Sequence, residues 1–325
     1  MNKTLLFKFA IATVLISCNL SRAQTSPNFP NRPIKLVVGF TAGASSDVVA
    51  RLVAQKLSES LGQPVSVDNK PGAGSSIGAD LVAKSPPDGY TLLLATVANA
   101  INASLMPNLS FDMNKDFAPI GLVASVPNLL VIHPSVPARS VKDLIAIGRQ
   151  SPDRLLFASS GNGTGSHLAA ELFKSMADVK MTHVPYRGSP QAVTDLIAGR
   201  VSILFSPTSS VLSHIKSGAL VGLASTGTHR TSAAPELPTV AESGLPGYET
   251  SVWFGLMAPK GTPKDVIERL NRELLKLNVD DKFKQQLTTQ GIDTKLSSPE
   301  QFADYMQNEV VKWSHVIKSA GVKVD

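Results

Sequence analysis

An α/β fold of two lobes, each a sheet flanked by helices with a ligand cleft between them, follows from three observations. Short apolar runs that read as buried strands alternate with helical apolar patterns along the chain, which argues for parallel sheets. Two of the strand-to-helix junctions carry matched loops of small residues. Once an N-terminal leader is set aside, about 300 residues remain, enough for two domains.

The strands expected, in order, are 34–38, 65–67, 91–95, 121–124, 129–132, 155–158, 181–183, 202–205, 220–224 and 255–259. The first loop, Gly39-Phe40-Thr41-Ala42-Gly43-Ala44-Ser45-Ser46-Asp47, leaves strand 34–38 and opens a helix carrying Val48, Val49, Leu52, Val53 and Leu57. The second, Ser159-Ser160-Gly161-Asn162-Gly163-Thr164-Gly165-Ser166, leaves strand 155–158 and opens a helix carrying Leu168, Leu172, Phe173 and Met176. A helix N-terminus bears unpaired N–H groups and about half a positive charge, so it favours an anion. Two such ends facing each other hold a carboxylate without a buried Lys or Arg.

Three further helices are clearly punctuated. Ser189-Pro190 reads as a cap and first-turn proline, with Ala192, Val193, Leu196 and Ile197 as the apolar face and Gly199 as the stop. Thr262-Pro263-Lys264-Asp265 starts a helix through Val266, Leu270, Leu274 and Leu277. Ser298-Pro299-Glu300-Gln301 has capping-box spacing and starts a long helix with Phe302, Tyr305, Met306, Val310, Trp313 and Ile317 inward. The C-terminal helices have no strand partner of their own, so they are assigned back to the first lobe. The division is then 24–128 plus 250–325 for domain one and 129–249 for domain two. The chain crosses near 126–130 and 251–254, which makes a hinge. In such folds ligands bind outside the carboxyl ends of the strands, where both small-residue loops belong.

Residues 1–23 read as an export signal: Lys3 and Lys8, an uncharged apolar run over 9–17, then Ser21-Arg22-Ala23 as a cleavage site. The run is shorter than the ~20 residues that span a bilayer. Cys18, the only cysteine, lies in Leu15-Ile16-Ser17-Cys18, which resembles a lipoprotein box. Either the leader is cut after Ala23 and Cys18 is lost, or Cys18 becomes a lipidated N-terminus; the adequacy of Ser21-Arg22-Ala23 favours the first. Both leave the folded body without a disulfide or a thiol catalyst.

Composition narrows the function classes. Removing Lys3, Lys8 and Arg22 from a formal +6 leaves +3. The remaining Lys and Arg are scattered rather than striped, so no nucleic-acid footprint is present. His133, His167, His183, His214, His229 and His315 show no metal-ligand spacing, so no metal is expected. Gly72, Gly74 and Gly78 miss the dinucleotide-loop intervals, so no cofactor is expected. Gly74-Ser75-Ser76-Ile77-Gly78 spells G-x-S-x-G, but a nucleophile elbow needs its serine directly off a strand. Here 68–73, with Pro71, intervene, and a Gly-rich loop with a Ser cap is the simpler reading. A secreted hydrolase using Ser76 with His183 or His214 is kept as the rival. His167 begins the second loop's helix, either near the cleft or simply packed. Arg187, in Tyr186-Arg187-Gly188, either pairs with an anionic ligand bidentately or holds an acid across the lobes. Phe40 is either a cleft wall or core.

The residues then show a resemblance. Pro33 to Phe40, Asp47 to Leu52, Asn69 to Gly74, Ile77 to Asp80, Pro86 to Leu92, Ser160 to Thr164, His183 to Gly188, Leu237 to Val240, Glu242 to Tyr248 and Ala258 to Pro263 are ordered blocks similar to those of the Bug-type periplasmic solute receptors of tripartite tricarboxylate transporters. The resemblance runs from about residue 31 to the C-terminus. It implies a type II periplasmic-binding-protein fold and a small carboxylate held between the lobes by main-chain amides, hydroxyls and water. It implies delivery to a membrane permease of one large and one small subunit. Carried over by motif, the ligand-binding residues are Phe40, Thr41, Ala42, Gly43, Ala44, Ser45 and Ser46 in the first loop, and Ser160, Gly161, Asn162, Gly163 and Thr164 in the second. Asp47 matches the family's acidic residue after the first loop and reads as a loop-fixing group, since it would repel a carboxylate.

Two departures bear on the ligand. Ala42 and Ala44 stand where the family commonly has Pro and paired glycines, and Ser206, expected to face the cleft and counted with Arg187 among the ligand-binding residues, stands where the family often has an acid after a domain-two strand. Losing that acid suits a second carboxylate or an aromatic acid equally. The expectation is a non-enzymatic, monomeric periplasmic receptor for an organic acid, aromatic or dicarboxylic acids included. A sensor of the same fold is the alternative.

Overall fold

The computed structural model describes residues 29–106, 108–150, 155–186 and 188–322. The readings on the leader, Cys18 and Arg187 lie outside these residues.

In the first half, β1 (Ile34–Val38) lies between β2 (Val65–Asn69) and β3 (Thr91–Thr96), both parallel to it. On the far side of β3 runs β9 (Ser251–Pro259), antiparallel, followed by β4 (Phe117–Ile132) and the short β10 (Asp293–Thr294). In the second half, β5 (Leu156–Ser159) lies between β6 (Thr182–Pro185) and β7 (Ile203–Pro207), again in parallel. There β7 and β8 (Val221–Ser225) pair with the end of β4.

The expected strands 121–124 and 129–132 are one strand, β4. Its partner changes but its pairing does not lapse: β9 covers it up to Pro127, opposite Ser251, and β7 takes over at Asn128, opposite Pro207. Pro127 sits at this handover, where a missing N–H disturbs the ladder least.

Helices cover the sheets for ordinary reasons. In α1 (Ser45–Leu61), Val49, Val53, Leu57 and Leu61 recur every fourth residue and are all buried, and Gly62 ends the helix at φ 68°. The helix read at Ser189-Pro190, α6 (Ser189–Ile197), takes Gly188 rather than Ser189 as its cap. The C-terminal segment packs on the first half. Val266, Leu270 and Leu274 of α8 (Lys264–Leu275) and Phe283 of α9 (Asp281–Thr288) share a core with Leu36, Val38, Val49 and Val53. The capping box of α10 (Pro299–Ala320) forms as read: Ser298 Oγ accepts from Gln301 N at 3.2 Å, and Gln301 Oε1 accepts from Ser298 N at 3.0 Å. Buried Glu309 of α10 accepts from the indoles of Trp253 and Trp313 at 2.8 and 3.0 Å, which fixes the helix to β9. No helix of the described residues is long and apolar enough to cross a membrane.

Candidate functional site

The two small-residue loops are built alike. Gly43 and Gly163 both take the left-handed conformation, at φ 85° and 71°. Each is followed by an extended cap residue, Ala44 (φ −70°, ψ 160°) and Thr164 (φ −75°, ψ 161°). From these start α1 and α5 (Gly165–Ala177). Each loop is also tied down by the residue four places on. Asp47 Oδ2 accepts from the Gly43 amide at 2.9 Å, and His167 Nδ1 accepts from the Gly163 amide at 3.0 Å.

The supports differ in charge. Asp47 is buried and also accepts from Arg51 Nε at 2.9 Å and Asn69 Nδ2 at 3.0 Å. The Arg51 hydrogen bond, with those from Gly43 and Asn69, holds the Asp47 carboxyl down at about 2 against the opposing effect of burial. It is a structural carboxylate and is absent from the crevice lining. Around His167 lie aromatic rings, a second imidazole and the Glu171 carboxylate. His183 stacks on it at 3.8 Å between centroids, and Phe157 stacks on His183 at 4.7 Å. Burial pushes His183 down to about 4. Its Nε2 lies 2.6 Å from Ser159 Oγ, which bonds both the carbonyl and the amide of Gly161. Burial alone would raise the Glu171 carboxyl, but His167 at 3.6 Å and Lys174 at 2.8 Å bring it below its ordinary value.

Both loops open onto one crevice of about 460 Å³, within the range of ~300–1,000 Å³ typical of small-molecule sites. Phe40, Ala44, Ser45 and Ser46 line it from the first half, and Ser160, Asn162, Gly163, Thr164 and Gly165 from the second. Thr41, Ala42, Gly43 and Gly161 shape the loops but are not on its wall. Ser206 is not brought to the crevice either. It is buried in β7 opposite Leu129, and its hydroxyl has no partner among the described residues. Gly188 N donates to Ser160 O at 3.3 Å, so the chain flanking Arg187 runs against the second loop.

The rest of the wall is α3 (Val97–Leu105) with Met106 and Thr96, which sequence reasoning did not single out, together with Gly74, from the Gly-rich loop, and Val252 and Phe254, from the crossing read at 251–254. A signal existed: Thr96-Val97-Ala98-Asn99 spells a cap, and Val97, Ile101 and Leu105 repeat every fourth residue. Asn102 Nδ2 bonds the carbonyls of Ala73 and Gly74 and the Ser76 hydroxyl, at 3.1, 2.8 and 3.0 Å. It holds a left-handed turn formed by Ala73, Gly74 and Ser75. Ser75 stands at the cap position of the helix 76–83, as the Ser-cap reading of this loop expects, but its hydroxyl bonds Asn99 and makes no cap hydrogen bond. Ser76 bonds Asn102 and touches Met106 sulfur, while His183 is engaged with Ser159.

Three helices present their first turns to the crevice. In α3 the turn is filled by its own side chains: Thr96 Oγ1 accepts from Ala98 N at 3.2 Å, and Asn99 Oδ1 from Thr96 N at 2.9 Å. In α1 and α5 no side chain caps the turn. The amides of Ser45 and Ser46, and of Gly165 and Ser166, have no acceptor among the described residues. Among those residues no charged side chain lines the crevice. A second cavity, of about 310 Å³, lies beside Ser251 and Asp293. Its charges are already paired, Lys295 with Glu249 at 3.8 Å and Asp293 with Ser232 at 2.9 Å.

An α/β fold whose crevice is walled by opposed helix N-termini is a solute-binding architecture, and comparison with known proteins narrows it. Residues 49–322 match the tripartite tricarboxylate transporter family receptor model, and the chain belongs to this family. It is 36% identical over 326 residues to the protein BugT of Bordetella pertussis, covering 100% of both chains. An R. palustris protein solved with adipate superposes with a TM-score of 0.77 at 38% identity, over 91% of this chain and 99% of that one. MatC from Rhodopseudomonas palustris, with bound malate, gives a TM-score of 0.73 at 29% identity, over 89% and 100%. The Bug-type resemblance and the periplasmic-binding-protein fold read from the sequence therefore stand.

Proposed function

We propose that this chain is an exported, non-enzymatic receptor that captures a small organic carboxylate between its two halves and delivers it to a tripartite membrane permease with one large and one small subunit. The observation that carries the reading is the pair of uncapped first turns, α1 and α5, facing one crevice that the third helix, α3, meets with a complete cap. Their free amides and dipoles favour an anion. The adipate and malate bound by family members support the same ligand class. The halves 24–128 plus 250–325 and 129–249 act as the lobes of a monomer, moving about the crossings near 126–130 and 251–254. Ligand selects the closed arrangement because only there do both first turns reach it.

The test is a thermal-shift screen of the mature chain against carboxylic acids, amines and neutral sugars. Carboxylates alone are expected to raise the melting temperature, since a ligand that binds only the native state stabilises it. A shift by sugars or amines with none by any acid would sink the proposal.

A further inference from the structure

The two loops bring the hydroxyls of Ser45, Ser46, Ser160 and Thr164 and the Asn162 amide to the crevice, whereas α3 and its neighbours bring mostly hydrocarbon. The helix ends of α1 and α5, with Ser45, Ser46 and Ser160, make one anion-favouring corner. Opposite it the wall is hydrocarbon. Val97, Ile101 and Leu105 form a single face of α3, and Met106, Val252 and Phe254 continue it. The polar side chains along this wall are already spent. Thr96 and Asn99 cap α3, and the Asn102 amide nitrogen is committed to the 73–75 turn and Ser76. No lysine, arginine or histidine among the described residues reaches the lining.

We infer that the ligand is an acid with one anionic group and an apolar body, such as an alicyclic, aromatic or medium-chain monocarboxylate, seated with its carboxylate at the two helix ends and its hydrocarbon along α3. The inference rests on the carboxylate reading above and goes beyond it by choosing the class of acid. The single carboxylate takes the free amides of both first turns. The body gains by leaving water against Ile101, Leu105 and Phe254. A second carboxylate placed against that wall would give up hydration for a hydrocarbon surface and find no cation among the described residues, which is the costly case for a buried charge. The departures in the first loop fit this polarity: Ala44, on the crevice wall, adds a methyl group where the family often has glycine.

The experiment is isothermal calorimetry on the mature chain with matched pairs sharing a carbon skeleton: hexanoate against adipate, and cyclohexanecarboxylate against cyclohexane-1,4-dicarboxylate. The monoacid of each pair is expected to bind at least tenfold more tightly. In Met106→Lys, at a half-buried position just past α3 where an ammonium still reaches water, the gap should narrow or reverse. A diacid that equals or exceeds its monoacid in the unmodified chain overturns this inference and leaves the carboxylate reading intact. Absence of binding by all four acids and by malate overturns both.

Discussion

At the scale of residues, the two crevice loops depend on two side chains that are not on the crevice wall. Asp47 and His167 each hold a loop-glycine amide from four residues away, and each is buried. Asp47→Ala leaves the Gly43 amide and the Arg51 Nε–H without their acceptor and Asn69 Nδ2 with only the Phe40 carbonyl. Destabilisation of about 2 kcal/mol is expected, the worth of part-buried hydrogen bonds to a charged acceptor, measurable by urea unfolding at neutral pH. A loss below the error of that measurement would show the loop held by something else. The pH dependence has two windows. His183 is pushed from 6.5 to about 4, so between these values the unfolded chain takes a proton that the folded chain refuses. Stability therefore falls as pH drops from 6.5 towards 4, and His183→Gln should flatten that slope. Asp47, held at about 2 against an ordinary 3.8, keeps its full contribution above 3.8 and loses it only as pH falls through 2.

At the scale of elements, the two loops are alike in backbone and unlike in surroundings. A Cβ on Gly43 would meet open space, whereas one on Gly163 would overlap the Leu105 side chain of α3. Gly43→Ala should therefore bear only the backbone strain of a left-handed residue, about 1 kcal/mol, with ligand affinity reduced less than tenfold. Gly163→Val bears the same strain and must also displace the Leu105 side chain, and affinity should fall by much more. Equal effects in calorimetry would mean that the Leu105 contact does not shape the site. These elements were unequally legible. Strands such as 34–38 and 91–96 are saturated apolar runs and fell where read within a residue or so. The loops were legible because small residues at a strand-to-helix junction have a direct physical meaning. Helix α3 was not read, because Asn99 and Asn102 interrupt its apolar pattern. Their partners, Ser75 and the 73–75 turn, are far away in sequence and appear only on folding. The apolar wall of the crevice went unread with it. Nor does local pattern show that 121–124 and 129–132 continue as one strand, since continuity there depends on β7 taking over from β9.

At the scale of the whole molecule, the halves are joined by more than β4, the strand that pairs in both sheets. Leu168, in the first turn of α5, is fully buried, yet it sits in the core cluster of the first half with Val97, Leu105, Trp313 and Ile317. Helix α5, whose first turn lines the crevice, is thus seated on α10 and α3 from behind its own loop. Anything that loosens that seat changes how the α5 first turn meets the α1 first turn, without altering a group on the crevice wall. Leu196 on α6 is equally buried, but its cluster belongs wholly to the second half. Leu168→Ala and Leu196→Ala each remove the same atoms from a closed core, so each should cost about 2–5 kcal/mol of stability. Their effects on binding should separate. Leu168→Ala should weaken ligand affinity severalfold at a temperature where the variant is still folded, because the relative placement of the two helix ends is no longer fixed. Leu196→Ala should leave affinity near that of the unmodified chain. Unfolding curves paired with calorimetry on the two variants make the comparison. If both lose affinity alike, or neither does, then the α5 seat contributes stability only and the crossings alone set the geometry of the crevice.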